Sequence, residues 1–178
     1  MLAAVFALAA CTASPGPSAT SSPTAPQRGG TIVFGRAAAV TSFDLNNEIT
    51  ANNAFAIDKV FEPLVSFDTE FNIITSPTET YTVSPDLLTY TFTLRSGLQF
   101  SDGTPVTAAD ARFSLERHLK VQGPLPLEAP IRSIVATDTH TVTITLKSAY
   151  TPFLSELSGF SNGIFFADFG GSTEKDFF

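Results

Sequence analysis

The chain has 178 residues, 43% of them hydrophobic, with 17 phenylalanines and no tryptophan. That is enough apolar material for one sizeable core in a single domain. Ten basic against 17 acidic residues give a formal net charge of −7 with no Lys/Arg cluster, which argues against nucleic-acid binding, where a basic stripe is needed, and gives the acidity a role in solubility.

The first 27 residues carry no charge. Met1 to Ala10 is an apolar run too short to span a membrane. It fits the hydrophobic region of a signal peptide, although no positively charged segment precedes it, so the true start is expected upstream of Met1. Leu8-Ala9-Ala10-Cys11 resembles a lipobox, in which Cys11 is diacylated and becomes the mature N-terminus; the alternative is a small buried residue in an apolar segment. Acyl chains contribute about 0.8 kcal/mol per buried CH₂, so two or three of them would anchor the protein stably. Cys11 is the only cysteine, so no internal disulfide is expected. Thr12 to Gln27 is rich in Pro, Ser, Thr and Ala and reads as a disordered spacer. The expected organisation is a signal peptide over residues 1–10, a lipidated Cys11 and linker over 11–27, and a folded unit over 28–178.

In the folded part, Thr31 to Arg36 is predicted as a strand and Ala37 to Thr50 as an irregular loop. A helix is expected from Asn52 or Asn53 to Glu62, with Ala54, Ile57, Phe61 and Leu64 on one face and Pro63 ending it. Leu64 to Phe67 and Phe71 to Ile74 form a short hairpin around Asp68-Thr69-Glu70. Thr80 to Val83 is a further strand. Leu88, Tyr90, Phe92 and Leu94 alternate with Thr89, Thr91 and Thr93, the period of a half-buried strand. Asp102-Gly103-Thr104-Pro105 is a turn. Thr107 with Asp110 is an acidic capping box opening a helix over Ala108 to Lys120. Its stripe is Ala108, Ala111, Leu115 and Leu119, with Phe113 opposite, so the helix packs on two sides. After a proline-containing loop, Ile131 to Ala136 and Thr141 to Leu146 are strands. Thr151-Pro152 starts a helix that Gly159 ends, and Thr173-x-x-Asp176 starts another.

No catalytic or metal-binding set emerges. His118 and His140 lie in different elements; the first reads as a surface or boundary residue, the second as part of a turn, and a metal needs several converging ligands. No Gly-x-Ser-x-Gly elbow is present, no carboxylate pair argues for acid–base work, and Asp102-Gly103 reads as a structural turn. Gly29-Gly30 and Gly170-Gly171 lack phosphate-loop spacing. No enzyme and no cofactor is expected.

GLQFSDGTPVTAADARFSLER resembles the signature block of the family 5 extracellular solute-binding proteins, the peptide- and nickel-binding subunits of ABC importers. Phe100, Asp102, Gly103, Pro105, Thr107, Ala108, Asp110, Phe113, Ser114, Glu116 and Arg117 fit the pattern, with Ala111 where valine is more usual. GGTIVFGRA, IDKVFEPLV, SPDLLTYTFTLRSGL and AYTPFLSEL resemble flanking elements of the same family in order.

The resemblance implies an α/β, periplasmic-binding-protein-like fold of the class II type, here the N-terminal part of lobe I only. It implies a monomer that binds a peptide or other small solute between two lobes and delivers it to ABC permease subunits, tethered to the outer face of the membrane by its N-terminal lipid. Oligopeptides or dipeptides are the expected cargo; nickel or another small solute is the alternative, as is a receptor-like lipoprotein without transport. The 178-residue chain alone is expected to bind peptide negligibly. In this family the peptide lies extended and is held through main-chain groups. The resemblance places such contacts in the loop after the first strand, at Thr41, Ser42, Phe43, Thr50, Ala51 and Asn52. Each is equally readable as a loop or cap residue, and Asn52 or Asn53 as the helix cap. Phe160-Ser161-Asn162 is a weaker candidate.

Overall fold

A computed structural model describes residues 29–48 and 50–178. The expected signal peptide, Cys11 and the Pro/Ser/Thr linker lie outside the described residues. The chain divides into two units, Met1–Gly35 and Arg36–Phe178. In the first, residues 29–35 form no strand, and Ile32 and Val33 are exposed. The strand predicted over Thr31 to Arg36 is therefore not formed. Its residues have strand propensity, but a strand exists only through a hydrogen-bonded partner, and no ladder includes them.

The second unit contains α1 (Ala51–Val60), β1 (Val65–Phe67), β2 (Ile73–Thr75), β3 (Thr78–Val83), β4 (Thr89–Leu94), α2 (Ala108–Val121), β5 (Ile131–Ala136), β6 (Thr141–Leu146), α3 (Phe153–Leu157) and α4 (Glu174–Phe177), with two 3₁₀ segments between α3 and α4. β1 and β2 pair as an antiparallel hairpin. The other four strands form an antiparallel sheet in the order β3-β4-β6-β5.

Alternation builds that sheet. Tyr90, Phe92 and Leu94 of β4 and Val142, Ile144 and Leu146 of β6 are all buried on one face. The threonines between them meet across the ladder, Thr89 with Thr145, Thr91 with Thr143 and Thr93 with Thr141, as β-branched pairs suited to a half-covered pleated surface.

Helix α2 covers the apolar face. Thr107 and Asp110 make the predicted capping box, with the Thr107 backbone N–H donating to Asp110 Oδ2 at 2.8 Å. Ala108, Ala111 and Leu115 join the main core with Phe92, Val142, Ile144, Phe153 and Leu157. On its other side Phe113 packs against a second cluster around Leu45, Ile57 and Phe165, edge-on to Phe165 at 5.9 Å. The two-sided packing expected of this helix is realised, and α2 is the wall between the two cores.

Two helix starts differ from expectation. α1 is capped by Thr50, whose hydroxyl accepts from the Asn53 backbone N–H, rather than by Asn52 or Asn53; the Asn53 side chain instead turns inward. α3 begins at Phe153 with Pro152 at the cap position and no side-chain cap, one residue later than Thr151-Pro152 implies. The late Thr173–Asp176 signal does open α4, with Thr173 accepting from the Asp176 backbone N–H at 3.3 Å.

Candidate ligand-binding site

The loop from Thr41 to Asn47 is anchored in the second core by Leu45, and polar contacts fasten it and the start of α1. Asn53, buried in the first turn of α1, supplies the first. Its Oδ1 accepts from the Thr41 backbone N–H at 3.0 Å and its Nδ2 donates to Thr41 Oγ1 at 3.0 Å. One amide thus bonds both the backbone N–H and the hydroxyl of Thr41 and ties the loop to the helix start. Arg36 supplies the second, donating to the Ala51 carbonyl at 3.1 Å and to Asn52 Oδ1 at 3.2 Å and 3.3 Å while its guanidinium stacks 4.2 Å from the centre of the Phe55 ring. The structure therefore brings Thr41, Thr50, Ala51 and Asn52 together around the N-terminal turn of α1. Thr41, Thr50 and Ala51 are exposed and Asn52 is half-buried.

Ser42 is used locally, accepting from the Asp44 backbone N–H at 2.9 Å. Phe43 lies with a different group. It borders an apolar recess of about 280 Å³ together with Phe61, Phe100, Phe165, Phe166 and Phe177. Phe160-Ser161-Asn162 is a 3₁₀ turn, and its Ser161 and Asn162 are buried. The Ser161 carbonyl accepts from Asn46 Nδ2 at 2.8 Å, and Asn162 bonds Glu156 and His118. That segment is an internal brace.

The deeper support comes from α2. Arg117, its side chain 5% exposed, crosses from the helix to the loop. It donates to both Asp44 carboxylate oxygens at 2.8 Å and 2.9 Å, to Asn46 Oδ1, and to Glu174 of α4 at 2.8 Å. Its guanidinium also lies 4.5 Å from the Phe178 ring. One helix turn away Ser114 Oγ accepts from the Phe165 backbone N–H at 3.0 Å, its hydroxyl lying 2.8 Å from the Asp110 carbonyl and 3.2 Å from the Phe165 carbonyl, and Asp110 Oδ1 accepts from the Ala167 backbone N–H at 2.7 Å. His118 is 1% exposed and bridges Asn162 Oδ1 and the Leu125 carbonyl. It is a core residue, not the surface or boundary residue expected; its partners lie 44 and 7 positions along the chain, beyond what helical spacing reports. His140 does sit in the predicted turn, its backbone N–H donating to Asp138. At Gly123 the backbone touches the Asn46 carbonyl so closely that any side chain would collide with it, which closes this end of α2 onto the loop.

Burial raises the Asp44 carboxyl, but hydrogen bonds from Arg117 and Asn47, the Arg117 charge and the Asn46 backbone N–H outweigh it, and the net result lies below the ordinary carboxylate value. A pKa lower in the folded than in the unfolded state contributes stability that is complete above the unfolded value, about 3.9, and disappears as pH falls through the folded one. Acid titration of urea midpoints is expected to show wild type losing more stability than Asp44→Asn in the window below pH of about 4. Parallel curves would assign that loss to other carboxylates.

Among the described residues no group of three or more His, Cys, Asp or Glu side chains converges as a metal site, and no helix is long and apolar enough to cross a membrane. The Thr41–Asn52 region is a rim of hydroxyl and main-chain groups, of which Thr41 bonds Asn53, Ala51 and Asn52 bond Arg36, and the Thr50 hydroxyl bonds the Asn53 backbone.

The sequence matches the family model "Bacterial extracellular solute-binding proteins, family 5 Middle" over residues 72–177. The chain belongs to that family. It is 34% identical over 133 residues to the probable D,D-dipeptide-binding periplasmic protein DdpA of Escherichia coli K12, covering 71% of this chain and 26% of DdpA. It is 38% identical over 112 residues to the nickel-binding periplasmic protein of the same strain, covering 61% of this chain and 21% of that protein. The PBP AgaA of A. tumefaciens R10, solved in complex with agropinic acid, superposes with a TM-score of 0.69 at 29% identity, over 75% of this chain and 28% of AgaA. The fold is thus that of the periplasmic binding proteins, and the chain spans about a quarter of the length of the curated relatives it matches.

Proposed function

We propose that this protein is the solute-capturing component of an ABC importer, working outside the cytoplasmic membrane, and that its cargo is an oligopeptide or dipeptide. Membership of family 5 carries the reading. The rim around the start of α1 supports the choice of cargo: Thr41, Thr50, Ala51 and Asn52 gather there, held by Asn53 and Arg36. Binding involves no covalent step. A second lobe closes over the solute by hinge motion, and a permease with its own ATPase takes the cargo. Cys11 as a lipid anchor, with residues 11–27 as the spacer, completes the proposal.

The test is calorimetric titration of the protein expressed from its own gene. A mixture of di- and tripeptides should bind, and Asn53→Ala, which frees Thr41 from α1, should weaken binding about tenfold, the equivalent of about 1.4 kcal/mol. Retained affinity in Asn53→Ala would remove Thr41 from the site. The 38% identity to a nickel-binding protein favours nickel as a second reading; saturable binding of nickel(II) with no peptide binding would establish it in place of peptide.

A further inference from the structure

The internal brace behind the Thr41–Asn47 loop contains the only asparagine in the sequence that is followed by glycine, Asn162–Gly163. Such a pair is chemically labile. Glycine has no Cβ, so its backbone nitrogen reaches the carbon of the preceding side-chain amide unhindered. Packing imposes the pair all the same. A Cβ at Gly163 would stand 2.5 Å from Phe61 Cβ, so a larger residue would have to displace Phe61. Both ends of the Asn162 amide are in use. Its Nδ2 donates to the Glu156 carbonyl at 2.8 Å, which leaves Oδ1, an acceptor, facing His118 Nδ1 at 2.8 Å. A carboxylate at this position could not donate to Glu156.

The native structure restrains every group that the reaction needs. Asn162 is 2% exposed and closes the 3₁₀ turn Phe160–Asn162. The Gly163 N–H, whose nitrogen would be the nucleophile, donates to the Phe160 carbonyl at 3.2 Å. Attack requires that bond to break, the N–H proton to pass to solvent and the Asn162 amide to swing away from His118 and Glu156. These changes are one local opening, the same kind of event that admits hydrogen exchange at a buried amide.

We propose that Asn162–Gly163 is a self-modification site, a deamidation site latched by His118, Glu156 and Phe160 and released when their turn opens. The Gly163 nitrogen bonds to Asn162 Cγ, the Cγ–Nδ2 bond breaks, and Nδ2 leaves as ammonia with the proton that Gly163 gave up. Water then adds to either carbonyl of the cyclic imide and opens it to aspartate or isoaspartate; no oxidant or cofactor enters. The aspartate places a carboxylate against the Glu156 carbonyl, and the isoaspartate lengthens the backbone beside Phe61. Either product loosens the turn whose Ser161 carbonyl holds Asn46. The experiment incubates the protein expressed from its own gene at neutral pH, folded and in urea. It follows each asparagine-containing peptide by mass spectrometry and measures amide exchange at Gly163 in the folded protein. In urea Asn162 should convert faster than any other asparagine. Folded protein should convert at least about a hundredfold more slowly, with the Gly163 N–H protected from exchange by the same factor, because both wait on one opening. His118→Phe keeps a ring and removes the donor to Oδ1, and should raise the folded-state rate about tenfold. Asn162→Asp, which equals one product, should unfold at a lower urea concentration than wild type; an equal midpoint overturns the loosening. Conversion led in urea by another asparagine overturns the site. Conversion as fast folded as in urea, or out of step with Gly163 protection, overturns the latch, and a folded His118→Phe with the wild-type rate removes His118 from it. The exchange comparison uses wild type alone, so it decides the latch even if His118→Phe does not fold.

Discussion

Replacing Arg117 with methionine should destabilise the protein by about 3 kcal/mol, the lower end of the cost of removing one partner from a buried ion pair. Methionine keeps most of the volume, so the loss is chiefly electrostatic. Asp44 and Asn46 Oδ1 would remain in the α2–loop contact without the guanidinium that now satisfies them. Asp44 is still partly reached by solvent, with 18% of its side chain exposed, which keeps the cost at the low end. Urea unfolding measures it as a lower midpoint at unchanged slope. Adding Asp44→Leu should recover part of the loss by removing the stranded carboxylate; a double variant no more stable than Arg117→Met would show that packing, not charge, sets the cost. Because Asp44 is next to Phe43 and three residues from Thr41, the same variant should also weaken peptide binding.

Phe92→Ala is expected to cost about 3–5 kcal/mol, the range for emptying a large aromatic site in a core. Phe92 is fully buried in the middle of β4. It stacks on Tyr81 at 5.9 Å and pairs with Val142 across the ladder, inside the same core as α2. Neighbours on two strands and a helix are not free to collapse together into the space. A thermal midpoint unchanged from wild type would mean that the site is not the close-packed centre described. Unlike Arg117→Met, this variant acts far from Thr41 to Asn52, so peptide affinity of the remaining folded protein should be unaltered.

Locally encoded structure is legible in the sequence. β5 and β6 have the predicted bounds; in β6 Val142, Ile144 and Leu146 alternate with threonines, a pattern that needs only a covering layer on one side. The Thr107–Asp110 box is readable because its two partners are three residues apart. Long-range polar contacts are not. The F-S-x-E-R motif singles out Ser114 and Arg117, but Ser114 meets Phe165 and Arg117 meets Asp44, 51 and 73 positions away. No periodicity reports such pairs. The burial of His118 escapes the sequence for the same reason. Thr31 to Arg36 fails in the opposite sense, with a local pattern present and no ladder to complete it. The signature block, legible as turn, cap and core, also acts at a distance, because from α2 it fixes the loop carrying the candidate rim.

Amide hydrogen exchange of the protein expressed from its own gene, with and without a saturating peptide mixture, tests the central claim most directly. Protection confined to residues 41–53 within this chain, with β4 and β6 unchanged, is the result predicted. Exchange at 41–53 unaltered by a peptide that demonstrably binds would contradict it and move the site elsewhere.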